Sequence, residues 1–144
     1  MLPEQLPSEK AVPVLFLTEM WERFGFYTVQ GLLVLYMTSQ FGLSDNESFT
    51  ILGVFTALAY ISPLAGGFIA SRLLGYKTSI LWGGLFLISG YALLALPQSH
   101  LLLYPALATI IVGNGLFKPN ISSLLGSQFE PHDPRRDSSF TIFY

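Results

Sequence analysis

Cysteine is absent from this 144-residue sequence, and charged residues make up only 11% of it. Without cysteine the chain has no disulfide, no thiolate zinc site and no thiol nucleophile. Seven basic and nine acidic residues leave no electrostatic footprint for nucleic acid, which would require clustered Lys and Arg. A hydrophobic fraction of 51% and a positive mean hydropathy are instead typical of a membrane protein.

Four apolar segments are each long enough to cross a bilayer, whose core of about 30 Å requires roughly 20 residues of helix. Connections rich in Gly, Pro, Ser, Asn and charge separate them. A fifth apolar run begins near residue 138 and stops at Tyr144, so we expect the chain to be the N-terminal portion of a longer protein. The four predicted helices cover residues 12–37, 49–71, 78–97 and 101–125.

Connections that carry Lys or Arg alternate along the chain with connections that carry neither. Basic residues accumulate in cytoplasmic loops near helix ends. We therefore expect a multi-pass protein of the cytoplasmic (inner) membrane, surrounded by lipid, with a cytoplasmic N-terminus. The basic residues on the predicted cytoplasmic side are Lys10, Arg72, Lys77, Arg135 and Arg136.

The stretch TEMWERFGFY places Glu19, Glu22 and Arg23 in the middle of the first apolar segment. Three charges at mid-membrane cost about 7–10 kcal/mol on insertion scales, so they must face partners. At about 100° per residue they share a sector of roughly 140° with further side chains that include Tyr27 and Gln30. Such a helix lines a cavity or a bundle interior. A Glu19–Arg23 ion pair would leave Glu22 in search of a proton or a cation.

A second polar stripe lies on the fourth segment, in GNGLFKPNISS. Asn114, Lys118 and Ser122 follow each other at intervals of four residues and share one helix face. With Lys118 the intramembrane charges sum to zero, and a shared proton could unbalance such a network, as proton coupling requires. Lys118 could instead extend its ammonium to a nearby membrane interface.

Proline and glycine interrupt two of the predicted helices. Pro119, preceded by Gly113 and Gly115, predicts a kink whose freed carbonyl groups face a cavity. The glycines could equally serve close helix packing. The glycine pair that follows Pro63 has the same two interpretations, and Tyr60, one turn earlier, could offer its hydroxyl to a central cavity.

Nothing in the sequence indicates an enzyme or a metal site. Both histidines lie in predicted connections, and no nucleophile has a histidine partner. We expect no cofactor, with protons as the coupling ion.

Four stretches resemble the proton-dependent oligopeptide transporter family, a branch of the major facilitator superfamily. Glu19-x-x-Glu22-Arg23-Phe24 resembles its first-helix signature. GLFKPNISS is similar to its fourth-helix signature, FTIFY to the opening of its fifth, and GGFIASRLLGYK to the superfamily loop between helices two and three. The resemblance implies an all-α, polytopic membrane helix bundle of major-facilitator type. This chain would form its first four helices and the start of a fifth, with the missing C-terminal helices as partners.

The resemblance also implies roles for individual residues. Glu19 and Glu22 would couple protons, with Arg23 and Lys118 as their ion-pair partners. Gln30 stands where some members carry arginine, and Ser71 stands where the loop normally has an aspartate that helps hold the cytoplasmic gate. The candidate substrate-binding residues are Tyr27, Gln30, Tyr60, Asn114 and Lys118, and the gate loop comprises Gly67, Ser71, Arg72, Gly75 and Lys77.

The function predicted from these features is proton-coupled symport of di- and tripeptides by alternating access. A transporter of nitrate or another small anion would share the same fold. A small four-helix multidrug exporter and a non-transporting membrane scaffold are alternatives from other classes.

Overall fold

Four long helices form most of the part of the chain that the computed structural model describes, which is residues 11–96, 100–127, 129 and 140–141. A five-residue π-helical turn, Ala70–Leu74, continues the second helix. The predicted fifth helix falls mostly outside the described residues, of which Phe140 and Thr141 are helical. Lys10, His132, Arg135 and Arg136 also lie outside them. The helices are α1 (Ala11–Phe41), α2 (Asp45–Ile69), α3 (Tyr76–Ala95) and α4 (His100–Gly126).

The connection between α1 and α2 is shorter than the predicted 38–48, because both helices extend into it. Ser44 caps α2 by accepting a hydrogen bond from the Glu47 amide at 3.3 Å, and its own amide donates to the Glu47 carboxylate at 3.0 Å. This capping box satisfies amide groups that a helix start leaves unpaired. Gly42 reverses the chain with a φ of 63°. Asp45 and Glu47 therefore lie in the first turn of α2.

The connection between α2 and α3 is reduced to Gly75. Its φ of 77° lies in the region that favours glycine, and its amide donates to the Ala70 carbonyl at 2.8 Å. The sequence placed Arg72 and Lys77 in a loop of six residues. Instead Arg72 lies in the π-helical turn and Lys77 in the first turn of α3.

Three described stretches are long and apolar enough to cross a membrane, namely Asp45–Leu74, Tyr76–Ala95 and Leu101–Gly126. The first helix, α1, has 31 residues and a length of about 46 Å at 1.5 Å per residue, but it carries the three charges of its middle turns. This is a multi-pass membrane protein.

The helices run up and down, with α4 packed against both α2 and α3. Asn114 of α4 lies beside Ala59 of α2, and farther along both helices Pro119 lies beside Gly67. Residue numbers therefore increase in the same direction, and the two helices are parallel. The order is reversed for α3, where Gly83 meets Phe117 and Gly90 meets Ile110. Lipid tails are as apolar as leucine, so such bundles depend on van der Waals contact and interhelical hydrogen bonds.

Glycine brings these backbones close together. A Cβ atom added to Gly113 would lie 2.8 Å from the amide nitrogen of Leu87, and one added to Gly115 would lie 2.9 Å from the carbonyl oxygen of Ser62. Of the two interpretations of these glycines, the structure therefore supports close packing. The helix α4 continues through Pro119 to Gly126.

Candidate functional site

Arg23 lies between the two carboxylates of α1. Its Nε is 3.4 Å from Oε1 of Glu19, and both Nε and Nη2 contact Oε2 of Glu22. Both glutamates are buried, with 7% of each residue exposed. The Glu19–Arg23 contact expected from the sequence is present, and Arg23 also contacts Glu22, which that pair alone would have left without a partner. The long arginine side chain folds back over the preceding residue, which a count of helical positions does not anticipate.

One oxygen atom of each carboxylate has no hydrogen-bond partner among the described residues. Oε2 of Glu19 and Oε1 of Glu22 are buried and accept no hydrogen bond from the described residues. One guanidinium also cannot neutralise two ionised carboxylates. A proton or a second cation must supply the remaining charge in a membrane interior, where an uncompensated charge is costly. The cluster is therefore chemically suited to take up and release a proton.

Arg23 also connects α1 to the other two helices around it. Its Nη2 donates a hydrogen bond to Oδ1 of Asn114 in α4 at 2.8 Å. The side-chain nitrogen of Asn114 in turn donates to the backbone carbonyl of Ala59 in α2 at 2.9 Å. Asn114 is 2% exposed. Hydrogen bonds thus link the acidic cluster, which is Glu19, Glu22 and Arg23, through α4 to the backbone of α2.

Two aromatic rings of α1 lie near the guanidinium, and one amide farther along the helix contacts α2. The Arg23 Cζ lies 5.3 Å from the ring centre of Phe26 and 5.9 Å from that of Tyr27. Phe26 stacks on Phe55 of α2, whereas more than half of Tyr27 is exposed. Gln30 donates to the Thr56 hydroxyl of α2 at 3.2 Å, so it joins two helices.

Lys118 lies beside Tyr60. Its Nζ is 5.5 Å from the Tyr60 ring centre, in the geometry of a cation–π contact between α4 and α2. Within the described part of the chain no carboxylate oxygen lies within the 4.0 Å of an ion pair with Lys118. Direct pairing with Glu19 or Glu22 is therefore not observed there, because the guanidinium of Arg23 faces both carboxylates.

The predicted gate residues lie at the far end of α2. The Ser71 hydroxyl donates to the Phe68 carbonyl in its own helix at 3.0 Å, and Arg72 lies over the Phe68 ring. A Cβ atom added to Gly67 would be in ordinary contact with Pro119 of α4. Ser71, Arg72, Gly75 and Lys77 are all exposed.

Two contributors to the site were missed from the sequence. Pro63 has no amide hydrogen, so the carbonyl four residues earlier, that of Ala59, loses its helical partner. That rule could have identified Ala59 in advance. Tyr91 of α3 places its ring end against Gly25 of α1, and its buried hydroxyl bonds to none of the described residues. No local pattern signals that contact.

The carbonyl freed by Pro119 was expected to face a cavity, and this expectation was wrong. Pro119 removes the helical partner of the Gly115 carbonyl. That oxygen lies where a Cβ of Gly66 would stand, so it meets the backbone of α2. Among the described residues, no group of three or more His, Asp or Glu side chains is arranged to hold a metal ion.

A bundle of membrane-spanning helices that buries ionisable residues around a shared contact is the arrangement found in membrane transporters. The profile of the POT family matches residues 77–144. Dipeptide and tripeptide permease A of Chromobacterium violaceum is 45% identical over 140 residues, which are 96% of this chain and 28% of the permease. The chain is similar to members of the POT family over nearly its whole length, as its signatures indicated.

Solved structures agree with the assignment of the fold. A mutant of the peptide transporter POT in complex with alafosfalin superposes with a TM-score of 0.92 at 37% identity, over 96% of this chain and 31% of that one. A POT family transporter in complex with 5-aminolevulinic acid gives a TM-score of 0.90 at 36% identity, over 94% and 29%. The predicted all-α, major-facilitator-type bundle is confirmed. The family is one of transporters and not of enzymes.

The chain spans about 28% of the length of the curated relatives it matches.

Proposed function

We propose that α1 to α4 are the first four helices of a proton-coupled symporter of di- and tripeptides that works by alternating access. The observation that carries the proposal is the buried cluster in which Arg23 meets both Glu19 and Glu22 while each carboxylate keeps an unpaired oxygen. The names of the relatives, which are dipeptide and tripeptide permeases, support the choice of cargo.

The charge balance of the cluster suggests how a proton is coupled to transport. Protonation of Glu22 removes the negative charge that holds Arg23, so the contact between them weakens. The halves of the transporter then rock about the site, and proton and peptide leave together on the inner side. No cofactor takes part, and protons are the coupling ion. The C-terminal helices of the same protein complete the cavity.

The cargo contacts would lie on the accessible side of the cluster. Tyr27 and Tyr60 are 55% and 58% exposed in the bundle, so both rings are open to a peptide. Lys118, beside Tyr60, would attract the carboxylate end of that peptide. Gln30 is half-buried against Thr56, so its contact with cargo would require the other face of its amide.

The test is uptake of a radiolabelled dipeptide by proteoliposomes that contain the full-length transporter encoded with this chain. We expect accumulation only with an acidic exterior, loss of accumulation when a protonophore collapses the gradient, and competition by unlabelled dipeptides but not by nitrate. Nitrate uptake in place of dipeptide uptake would show that the protein transports an anion and would overturn the proposed cargo. Dipeptide uptake that ignores the gradient would overturn proton coupling.

Orientation is proposed from the basic residues and has a separate test. A cytoplasmic N-terminus places Arg72, Gly75 and Lys77, and hence the gate, on the cytoplasmic side. Leu73 lies in the same turn and is 76% exposed, and the described chain contains no cysteine. In Leu73→Cys, with any cysteine in the rest of the transporter removed, an impermeant maleimide should react in inverted vesicles and not in intact cells. The opposite pattern would reverse the orientation.

A further inference from the structure

The carbonyl group of Ala59 is released by the sequence of its own helix. In an α-helix this oxygen would accept the amide hydrogen of residue 63, and residue 63 is proline. Ala59 is 2% exposed, so water does not replace the missing donor. A buried carbonyl needs a hydrogen-bond donor. The Ser62 hydroxyl of the same helix donates to this oxygen at 3.3 Å, and the shorter bond, at 2.9 Å, comes from another helix.

Asn114 of α4 is the interhelical donor, and the carbonyl decides how its amide is oriented. Its nitrogen donates to Ala59 at 2.9 Å, and its oxygen accepts from Arg23 at 2.8 Å. A flipped amide would set its oxygen against the carbonyl oxygen and its nitrogen against the guanidinium, so both contacts would be lost. The free carbonyl therefore ensures that Asn114 presents an acceptor to Arg23.

The guanidinium is consequently held from two sides that respond differently to a proton. Its Nε side faces Glu19 and Glu22, whose charges a proton can remove. Its Nη2, which also contacts Oε2 of Glu22, donates in addition to the neutral amide of Asn114, which a proton does not affect. When one carboxylate is protonated, its contact with the guanidinium weakens while the hydrogen bond from Arg23 to Asn114 of α4 remains.

We propose that Pro63 and Asn114 are positioning residues of the proton-coupling site: Pro63 frees the Ala59 carbonyl, and Asn114, oriented by it, fixes the guanidinium of Arg23 against the carboxylates. This proposal rests on the proposed function. The sequence had suggested that Asn114 binds the cargo. This proposal instead assigns Asn114 to the geometry of the coupling cluster.

The first experiment separates positioning from cargo binding. Asn114→Leu keeps the approximate volume and removes both hydrogen bonds. Loss of one hydrogen bond at the cluster should displace the pH midpoint of proton-driven dipeptide uptake by about 0.5–1 unit. The KM for dipeptide in counterflow, which needs no gradient, should stay within about twofold of wild type. A raised KM with an unchanged pH midpoint would overturn the proposal in favour of direct cargo contact.

The second experiment tests the link from Pro63. Pro63→Ala restores an amide that competes with Asn114 for the Ala59 carbonyl, so it should displace the pH midpoint in the same direction as Asn114→Leu. In the Asn114→Leu background it should add nothing, because the link is already broken. Pro105→Ala, at an exposed proline inside α4, is the matched control and should leave the midpoint unchanged. Additive shifts would overturn the link.

Failure of this proposal and failure of the proposed function give different results. If the wild-type protein takes up dipeptides and the variants have the same pH midpoint, only the positioning roles of Pro63 and Asn114 are contradicted. If the wild-type protein takes up no dipeptide, the proposed function is contradicted. In that case the melting temperatures of the two single variants and the double variant still test the link, since non-additive changes support it and additive ones contradict it.

Discussion

Gly66 of α2 lies directly against the carbonyl oxygen of Gly115 in α4. Pro119 has no amide hydrogen for this oxygen, so the carbonyl is left without its partner within α4. The hydrogen that glycine carries in place of a side chain points at the oxygen, and a Cα–H···O contact contributes roughly 0.5–1 kcal/mol. The close approach of α2 and α4, on which the position of Asn114 depends, therefore requires glycine at this residue.

Gly66→Ala should destabilise the protein by about 1–3 kcal/mol, because its methyl group would overlap a backbone atom that cannot rotate away. Thermal unfolding in detergent, followed by tryptophan fluorescence, measures the change. Gly67→Ala is the matched control, since a Cβ there would be 3.6 Å from the Cβ of Pro119, an ordinary contact. Equal melting temperatures for the two variants would contradict the packing described for this pair.

Glu22→Gln should abolish proton-driven uptake and leave counterflow of peptide partly intact. Glu22 is the closer carboxylate partner of Arg23, so it is the one whose charge most directly controls that contact. Glu19→Gln should have the smaller effect, because its contact with Arg23 is longer, at 3.4 Å. Paired uptake and counterflow assays measure both variants. Equal loss of driven uptake and counterflow in Glu22→Gln would indicate a role in cargo binding or folding instead.

Lys118→Ala should eliminate driven uptake or alter its pH profile, because it removes the second intramembrane cation. Lys118→Arg keeps the charge with a planar head group, so partial activity is expected. Tyr60→Phe retains the ring under the ammonium and serves as the control for the cation–π contact. Wild-type uptake and pH dependence in Lys118→Ala would support the alternative in which this side chain only extends to the interface.

Ser71→Asp should favour the state in which the cytoplasmic side is closed. The serine hydroxyl is engaged with the Phe68 carbonyl at 3.0 Å and carries no charge. A carboxylate that forms one charge-assisted bond to a neighbouring helix would contribute about 1–2 kcal/mol and change the ratio of the two states roughly 5- to 30-fold. The measurement is a slower reaction of Leu73→Cys with maleimide. Ser71→Asn supplies the same shape without the charge, and a faster reaction in Ser71→Asp would refute the proposed gate.

The acidic cluster shows what helical periodicity can predict and what it cannot. Counting about 100° per residue was enough to place Glu19, Glu22 and Arg23 on one face. It was not enough to assign the closer ion pair, because direction around a helix axis does not specify a side-chain rotamer. The tighter contact of Arg23 with the adjacent Glu22 depends on how the long side chain folds.

The helix ends show a different kind of error. The predicted connections on either side of α2 came out longer than the observed ones because polar residues were assigned to loops. In the structure Ser44 and Glu47 form a capping box that begins α2. Gly75 reverses the chain in a single residue, so its basic neighbours are helical. Both signals are local and were present in the sequence.

The sequence by itself determined the properties that depend on composition and on short intervals along one helix. These are the membrane class, the number of apolar segments before the fifth, the shared face of Glu19 and Arg23, and the release of the Ala59 carbonyl by Pro63. Only the tertiary structure decided which groups meet across helices. Arg23 and Asn114 are 91 positions apart, and Ala59 and Asn114 are 55 apart. Their contact depends on the rotation and axial offset of three helices, which are set by van der Waals packing at residues such as Gly66 and Gly115, and no interval along a single helix encodes those two quantities.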